Sequence, residues 1–232
     1  MTPPGWPSLA VVMPVLNAAP FLAAALASVL SQLPGGSEML VVDGGSEDGS
    51  QAIAGGFPGV RVLIQSGHGL AAARNQGLAA ARADIIGFCD ADDRWSADAL
   101  AQRMEWLAAH PDCDAVIGQV VLEALPGAPV TPQQDARLGK RLPGFTPGAL
   151  LARRHVFQAI GLFDEALTVA ADSDWFVRLV QSDLRLAVLP AVVLHKGARA
   201  AALSSDLETY RRELLQIGRR YVKHRRAIAG RR

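Results

Sequence analysis

The sequence predicts an α/β fold: a single domain about a mostly parallel central sheet, helices on both faces, and a basic amphipathic helix at the C-terminus. Three observations predict it. Short, wholly apolar runs alternate with helix-like patterns through the first half of the chain, and strands without polar alternation belong to sheets covered on both faces. Each of those runs ends in a cluster of polar and turn-forming residues, where ligands of open α/β sheets sit. The 232 residues, 50% hydrophobic and 19% charged, suffice for one core without a disulfide or metal staple.

Leu9–Val15 reads as the first strand, and Pro20 suits the first turn of a helix running to about Gln32. Met39–Val42 is the second strand, closed by the turn-rich Asp43-Gly-Gly-Ser-Glu-Asp-Gly-Ser50. Arg61–Gln65 is the third, followed by Gly67-His-Gly69 and an alanine-rich helix to about Arg82. Ile85–Cys89 is the fourth, closed by Asp90-Ala-Asp-Asp93. A helix with Ser96 as its N-cap runs to about Ala109, before Pro111. Ala115–Leu122 is a further strand. The stretch from Pro126 to Gly148 holds five prolines and no period, so it reads as a long loop. Helical patterns follow at Gly148–Ala159 and Ala171–Gln181, then a strand over Leu184–Leu194 interrupted by Pro190. Leu207, Tyr210, Leu214, Ile217, Tyr221 and Ile228 mark one stripe of a final helix.

Composition removes several classes. Two cysteines, Cys89 and Cys113, exclude a disulfide-dense module and point to a reducing compartment. The longest apolar run, Leu9 to Leu16, is far too short to span a bilayer, and the first residues lack the pattern of a secretory signal. A cytoplasmic location is therefore expected. Net charge is +1, yet residues 211–232 carry nine Arg or Lys against Glu213 alone, leaving the remainder net acidic. That distribution predicts no nucleic-acid partner for the domain and a basic tail suited to an anionic membrane face.

The residues able to carry chemistry lie at the strand ends. Asp90, Asp92 and Asp93 follow an apolar strand, and three acids in four residues require a cation or strong donors. Hard oxygen ligands suit Mg²⁺ or Mn²⁺; a solvated acidic turn is the competing reading. Asp43 is followed by Gly44, Gly45 and Gly49, which let backbone N–H groups approach a ligand. Gly67-His-Gly69-Leu-Ala-Ala72 matches a dinucleotide fingerprint, at the third strand rather than the first, and leaves an NAD-dependent oxidoreductase as a remote alternative. Arg74 and Asn75 follow in the first turns of that helix, where a solvent face would also account for them. Asp172 and Asp174 open a helix, where acids complement the dipole. A functional Asp172 would be a general base, with Trp175 an apolar platform for a sugar. His195, alone at a strand end, reads as structural.

Taken in order, Val12-Met-Pro-Val-Leu-Asn17, Val41 to Ser50, Ala73-Arg-Asn-Gln-Gly77, Phe88-Cys-Asp-Ala-Asp-Asp93 and Gly161-Leu-Phe-Asp-Glu165 before Ala171-Asp-Ser-Asp-Trp175 resemble a family 2 glycosyltransferase of GT-A (Rossmann-like) fold, over residues 8 to 205. The resemblance implies a nucleotide-sugar-binding half (1–125), an acceptor-side half of the same domain (126–202) and a C-terminal basic helix and tail (203–232). It implies an inverting transfer from a nucleotide-diphosphate sugar, UDP-linked as first expectation, to a hydroxyl acceptor, lipid-linked acceptors included. Pro14 and Asn17 would border the nucleotide, Asp43 would bond its base with Ser46 shaping the loop, and Arg74 would lie against base or diphosphate. Asp90 would touch the ribose side, Asp92 would hold a divalent cation, Mn²⁺ or Mg²⁺, and Asp164, Glu165 and Trp175 would line the acceptor side. Asp172 stands where the family keeps its base. The chain departs from the family pattern at Leu16, at Ala171 where Glu is usual, and after the last strand, where a register set by Leu203-Ser204 puts Arg199 at a position usually His. These departures leave a second reading: a protein that binds nucleotide sugar without turnover.

Overall fold

The computed structural model describes residues 6–200 and 205–229, with side chains to Val222 in the last helix. The strands are β1 (Leu9–Val15), β2 (Glu38–Asp43), β3 (Val60–Ile64), β4 (Ile85–Phe88), β5 (Arg94–Trp95), β6 (Ala115–Ala124), β7 (Arg141–Pro143), β8 (Leu150–Arg153) and β9 (Leu186–Ala198). The α-helices are α1 (Ala19–Leu30), α2 (Ser50–Gly55), α3 (Gly69–Ala80), α4 (Ala99–Ala109), α5 (Pro132–Asp135), α6 (Arg154–Ile160), α7 (Ala171–Gln181) and α8 (Leu207–Ala229). All nine strands share one sheet in the order β3-β2-β1-β4-β8-β6-β9-β5, with β7 beside β6. The β3-β2-β1-β4 block is parallel, β8 is inserted antiparallel, and β6 and β9 run parallel to one another.

Every residue of β1 is buried, and its period-two alternation divides the core. Leu9, Val11, Met13 and Val15 pack with Leu22, Leu26 and Val29 of α1 and with Leu100 and Met104 of α4. Ala10 and Val12 face the other way, into a cluster holding Ala73 of α3, Trp175 and Leu179 of α7 and Ile217 of α8. Helices thus cover both faces, as the all-apolar strands predict. The four parallel strands end on one edge, and their carboxyl ends carry the polar clusters.

The structure departs from expectation in four places. The pattern over Gly148–Ala159 is not one helix but a 3₁₀ turn (Pro147–Ala149), β8 and α6; Leu150, Leu151 and Ala152 are all buried between β4 and β6, and a short apolar run has no period that separates strand from helix. The N-cap of α4 is Asp98, in left-handed geometry, not Ser96, because Arg94–Trp95 pairs with β9 and delays the helix. The proline-rich stretch contains α5, opened by a Thr131/Gln134 capping box, and β7. Strand β9 continues to Ala198, its register with β6 shifting between the Val188 and Val192 pairs, the span that holds Pro190. The expected register at Leu203-Ser204 lies outside the described residues.

Helix α8 packs on the domain through Tyr210, Glu213 and Ile217, whereas Leu207 and Leu214 of the expected stripe are exposed. The side chains of Lys223, Arg225, Arg226 and Ile228, and the residues Arg231 and Arg232, lie outside the described residues. No helix among the described residues is long and apolar enough to cross a membrane.

Candidate active site

The loops after β1 and β2 are stitched into one rim. Asn17, in left-handed geometry (φ 48°), donates its N–H to Ser46 Oγ at 2.9 Å, and its side-chain Oδ1 accepts from Glu47 N–H. Ser50 Oγ accepts from Ala18 N–H, and Asp48 accepts from Ala19 N–H. Gly49 makes the turn into α2 at φ 91°, a conformation open to glycine without strain. Within this rim Asp43 is buried at the end of β2. Its Oδ2 accepts from Gly45 and Ser46 N–H at 3.2 and 3.1 Å, while Oδ1 finds no partner among the described residues. An orphaned buried carboxylate oxygen is costly, and a ligand donor is the ordinary remedy. Pro14 is buried within β1, one residue before its end.

The three acids after β4 have three different surroundings. Asp93 is buried, accepts from Gly197 N–H at 2.8 Å and lies 3.4 Å from Lys196 Nζ; burial together with the neighbouring acids lifts its pKa to about 7, against the pull of Lys196. It fastens β9 to the acidic turn, and a Cβ at Gly197 would collide with the Asp92 carbonyl. Asp90 meets Arg74 at 2.7 Å and Lys196 at 3.8 Å; burial raises its pKa, but these two cations outweigh it and hold the carboxyl below its usual value. Asp92 is half-buried and meets Arg199 Nε through Oδ2 at 2.9 Å.

Arg74 is 0% exposed. One nitrogen binds Asp90, the other binds Asp172 Oδ1 at 2.5 Å. It therefore joins the end of β4 to α7 from the interior. The two carboxylates it joins are pushed apart: burial raises Asp172, and Arg74 offsets this only in part. Paired carboxylates with divergent affinities for protons are how sites divide acid–base roles. Asn75, also buried, returns two bonds to the Phe163 backbone and donates to Glu165 at 2.8 Å. The Arg74-Asn75 pair is thus interior and not a solvent face.

Before α7, Asp164 accepts from Ala166 N–H and from Arg220 of α8 at 2.6 Å. Trp175 does not stand open to a sugar. It is 0% exposed, lies among Phe157, Phe163 and Phe176, and donates its indole N–H to Gly161 O; an indole whose faces are already packed offers no platform. His195 pairs with Glu123 of β6 at 2.6 Å.

Asn17, Asp43 and Ser46 thus share one rim, and Asp90 and Asp172 meet through Arg74. Sequence reasoning missed Lys196, Arg199 as the partner of Asp92, and Glu213, which bonds the segment just ahead of Asp172. The signal for Glu213 was its being the only acid after Glu208 in a basic helix that follows an uncapped one.

The family model described as glycosyl transferase family 2 matches residues 10–161, from β1 through Gly161. The chain belongs to glycosyl transferase family 2. Among family relatives, a PGL/p-HBAD biosynthesis glycosyltransferase of Mycobacterium bovis is 32% identical over 181 residues, covering 74% of this chain and 69% of that protein. The uncharacterized glycosyltransferase EpsJ of Bacillus subtilis is 34% identical over 114 residues, covering 47% of this chain and 33% of that protein. The fold is shared with Staphylococcus aureus TarS 1–349 in complex with UDP-GlcNAc (TM-score 0.69, 18% identity, 86% of this chain and 61% of that one). It is shared equally with the mannosyltransferase PcManGT of Pyrobaculum calidifontis in complex with GDP-Man and Mn²⁺ (TM-score 0.69, 21% identity, 94% and 65%). The chain therefore spans less than two thirds of each of these solved chains. The family's GT-A fold is the α/β architecture expected from the strand alternation, and the dinucleotide fingerprint at Gly67–Ala72 follows the edge strand β3 and adjoins this rim, Gln65 donating its N–H to Asp43 O at 2.8 Å and its side-chain amide to Gly69 O at 2.9 Å.

Proposed function

We propose that the chain transfers a sugar from a nucleotide-diphosphate donor, UDP-linked as first candidate, to an acceptor hydroxyl with inversion. The observation that carries this reading is the orphaned Oδ1 of Asp43, buried at the carboxyl end of β2 and on the same sheet edge as Asp90 and Asp92. A base N–H would satisfy that oxygen, and the diphosphate would then run across β1 toward the acids after β4. Asp172 takes the proton from the acceptor hydroxyl as the oxygen attacks the anomeric carbon opposite the leaving diphosphate. Arg74 keeps Asp172 in place, and its raised proton affinity makes it a better base than an ordinary aspartate. Asp164 and Glu165 stand on the acceptor side. Membership of the family and its relatives' names support the reading.

Asp92 is the residue that would hold a divalent cation. The donor set fits such an ion when one carboxylate is joined by donor phosphates: Asp92 is only half-buried and meets Arg199 through a single oxygen. Among the described residues no three His, Cys, Asp or Glu side chains gather to hold a metal unaided. When bound, the cation would screen the charge gathering on the leaving diphosphate. Asp92→Asn is expected to abolish the enhancement of UDP binding by Mn²⁺, measured by calorimetry, while the protein remains folded. Metal-linked affinity equal to wild type would contradict the assignment.

The proposal extends to a lipid-linked acceptor and a peripheral contact with the anionic inner face of a membrane. Arg211, Arg212 and Arg219 are exposed on α8, and each basic residue near an anionic surface contributes about 1 kcal/mol. Sedimentation with anionic vesicles at low salt is expected, reversed at high salt, absent with neutral vesicles, and lost when residues 219–232 are removed. Equal binding to neutral vesicles would leave α8 without this role.

A further inference from the structure

We propose that Glu213 is a positioning residue for the base: from α8 it fixes the start of α7 and, through it, Asp172. The inference rests on the reading of Asp172 given above. Helix α7 begins without a cap of its own, because its N-cap is Ala170 and no side chain near it in sequence bonds its first turn. Alanine is among the poorest residues at that position. The missing acceptor arrives from 43 to 45 residues away. Glu213 Oε1 accepts from Thr168 N–H at 2.8 Å, and Oε2 accepts from Val169 and Ala170 N–H at 2.9 and 2.8 Å. Three successive backbone N–H groups thus converge on one carboxylate, an anion-binding nest at the positive end of a helix. Glu213 is 5% exposed. Burial raises its pKa, but the three N–H bonds outweigh it and hold the carboxyl below its usual value, so it is ionised at neutral pH.

The same helix grips the segment at two further points around Asp172. Tyr210 and Ser173 join hydroxyls at 3.0 Å, one residue beyond the base, and Arg220 binds Asp164, eight residues before it. Ile217 enters the core cluster that also holds Trp175. Arg74 reaches the carboxylate itself, while Glu213 fixes the backbone that presents it. A base two residues from its anchor moves when the anchor goes, and a misplacement of about 1 Å costs on the order of a hundredfold in rate.

The test compares wild type, Glu213→Ala, Glu213→Gln and Asp172→Asn, with Leu214→Ala, an exposed neighbour on the same helix, as control. UDP affinity, turnover of UDP-GlcNAc or GDP-mannose and amide exchange over residues 167–176 are measured on each. Glu213→Ala is expected to keep UDP affinity, to speed exchange in that segment at least about tenfold, and to lower kcat at least about tenfold. Glu213→Gln retains one oxygen acceptor and the side-chain length, so it should fold as wild type and fall between the two. Leu214→Ala should match wild type. Unchanged exchange over 167–176 in Glu213→Ala, or unchanged kcat beside a crippled Asp172→Asn, overturns the positioning role alone. Unchanged turnover in Asp172→Asn overturns the reading of the base instead. Should Glu213→Ala fail to fold, the exchange and kcat of Glu213→Gln decide: values equal to wild type refute the proposal.

Discussion

Asp172→Asn is expected to bind the nucleotide sugar as wild type does and to lose transfer by at least about a hundredfold, the lower range for general-base catalysis. Asparagine keeps the shape and can still accept from Arg74, which retains its bond to Asp90, so the fold should survive. The amide cannot take a proton from the acceptor. Binding by calorimetry and transfer by product analysis, made on the same preparation, separate the two effects. A variant that transfers normally would make Asp172 an acid that only complements the helix dipole. Nucleotide-sugar binding by wild type with no transfer to any of a broad acceptor panel would favour the second reading, binding without turnover, which Ala171 and the Arg74 ion pair on Asp172 both accommodate.

The second large effect is expected at Asp43. Removing a bond to a charged acceptor costs about 1.5–3 kcal/mol, so Asp43→Ala should weaken nucleotide binding by roughly ten- to 150-fold. Alanine also strips the acceptor from Gly45 and Ser46 N–H, and loosening of the loop would contribute. Asp43→Asn separates the causes. Its amide oxygen can keep the loop bonds, while its NH₂ presents a donor to a donor, so the asparagine variant should lose nearly as much affinity as alanine with its loop intact. Full affinity in both variants would remove Asp43 from base recognition.

Much of the parallel half was legible because each of its strands is an apolar run with turn residues behind it, and burial on both faces leaves little else for Leu9–Val15 or Ile85–Phe88 to be. The antiparallel insert was not legible. Leu150–Ala152 is too short to display a period, and its partners β4 and β6 lie far off in sequence. The rim residues could be found because Asp43 and its glycines are local. The division of labour among Asp90, Asp92 and Asp93 could not, since it is set by Lys196, Gly197 and Arg199 from β9 and the residue just after it. Trp175 was misplaced because helix position does not say which face meets Phe157 and Phe163. Glu213 was invisible as a cap because ordinary caps are local, and this one crosses from another helix. A helix that starts on Ala-Ala with no acceptor nearby is the sequence trace of such a distant partner.

A crystal structure of the wild-type protein soaked with UDP tests the central claim most directly, that a nucleotide diphosphate lies across the ends of β2, β1 and β4. The account predicts the base edge donating to Asp43 Oδ1 at about 2.7–3.2 Å, with the diphosphate directed toward Asp90 and Asp92. A base more than about 6 Å from Asp43, well beyond hydrogen-bond range, would contradict it.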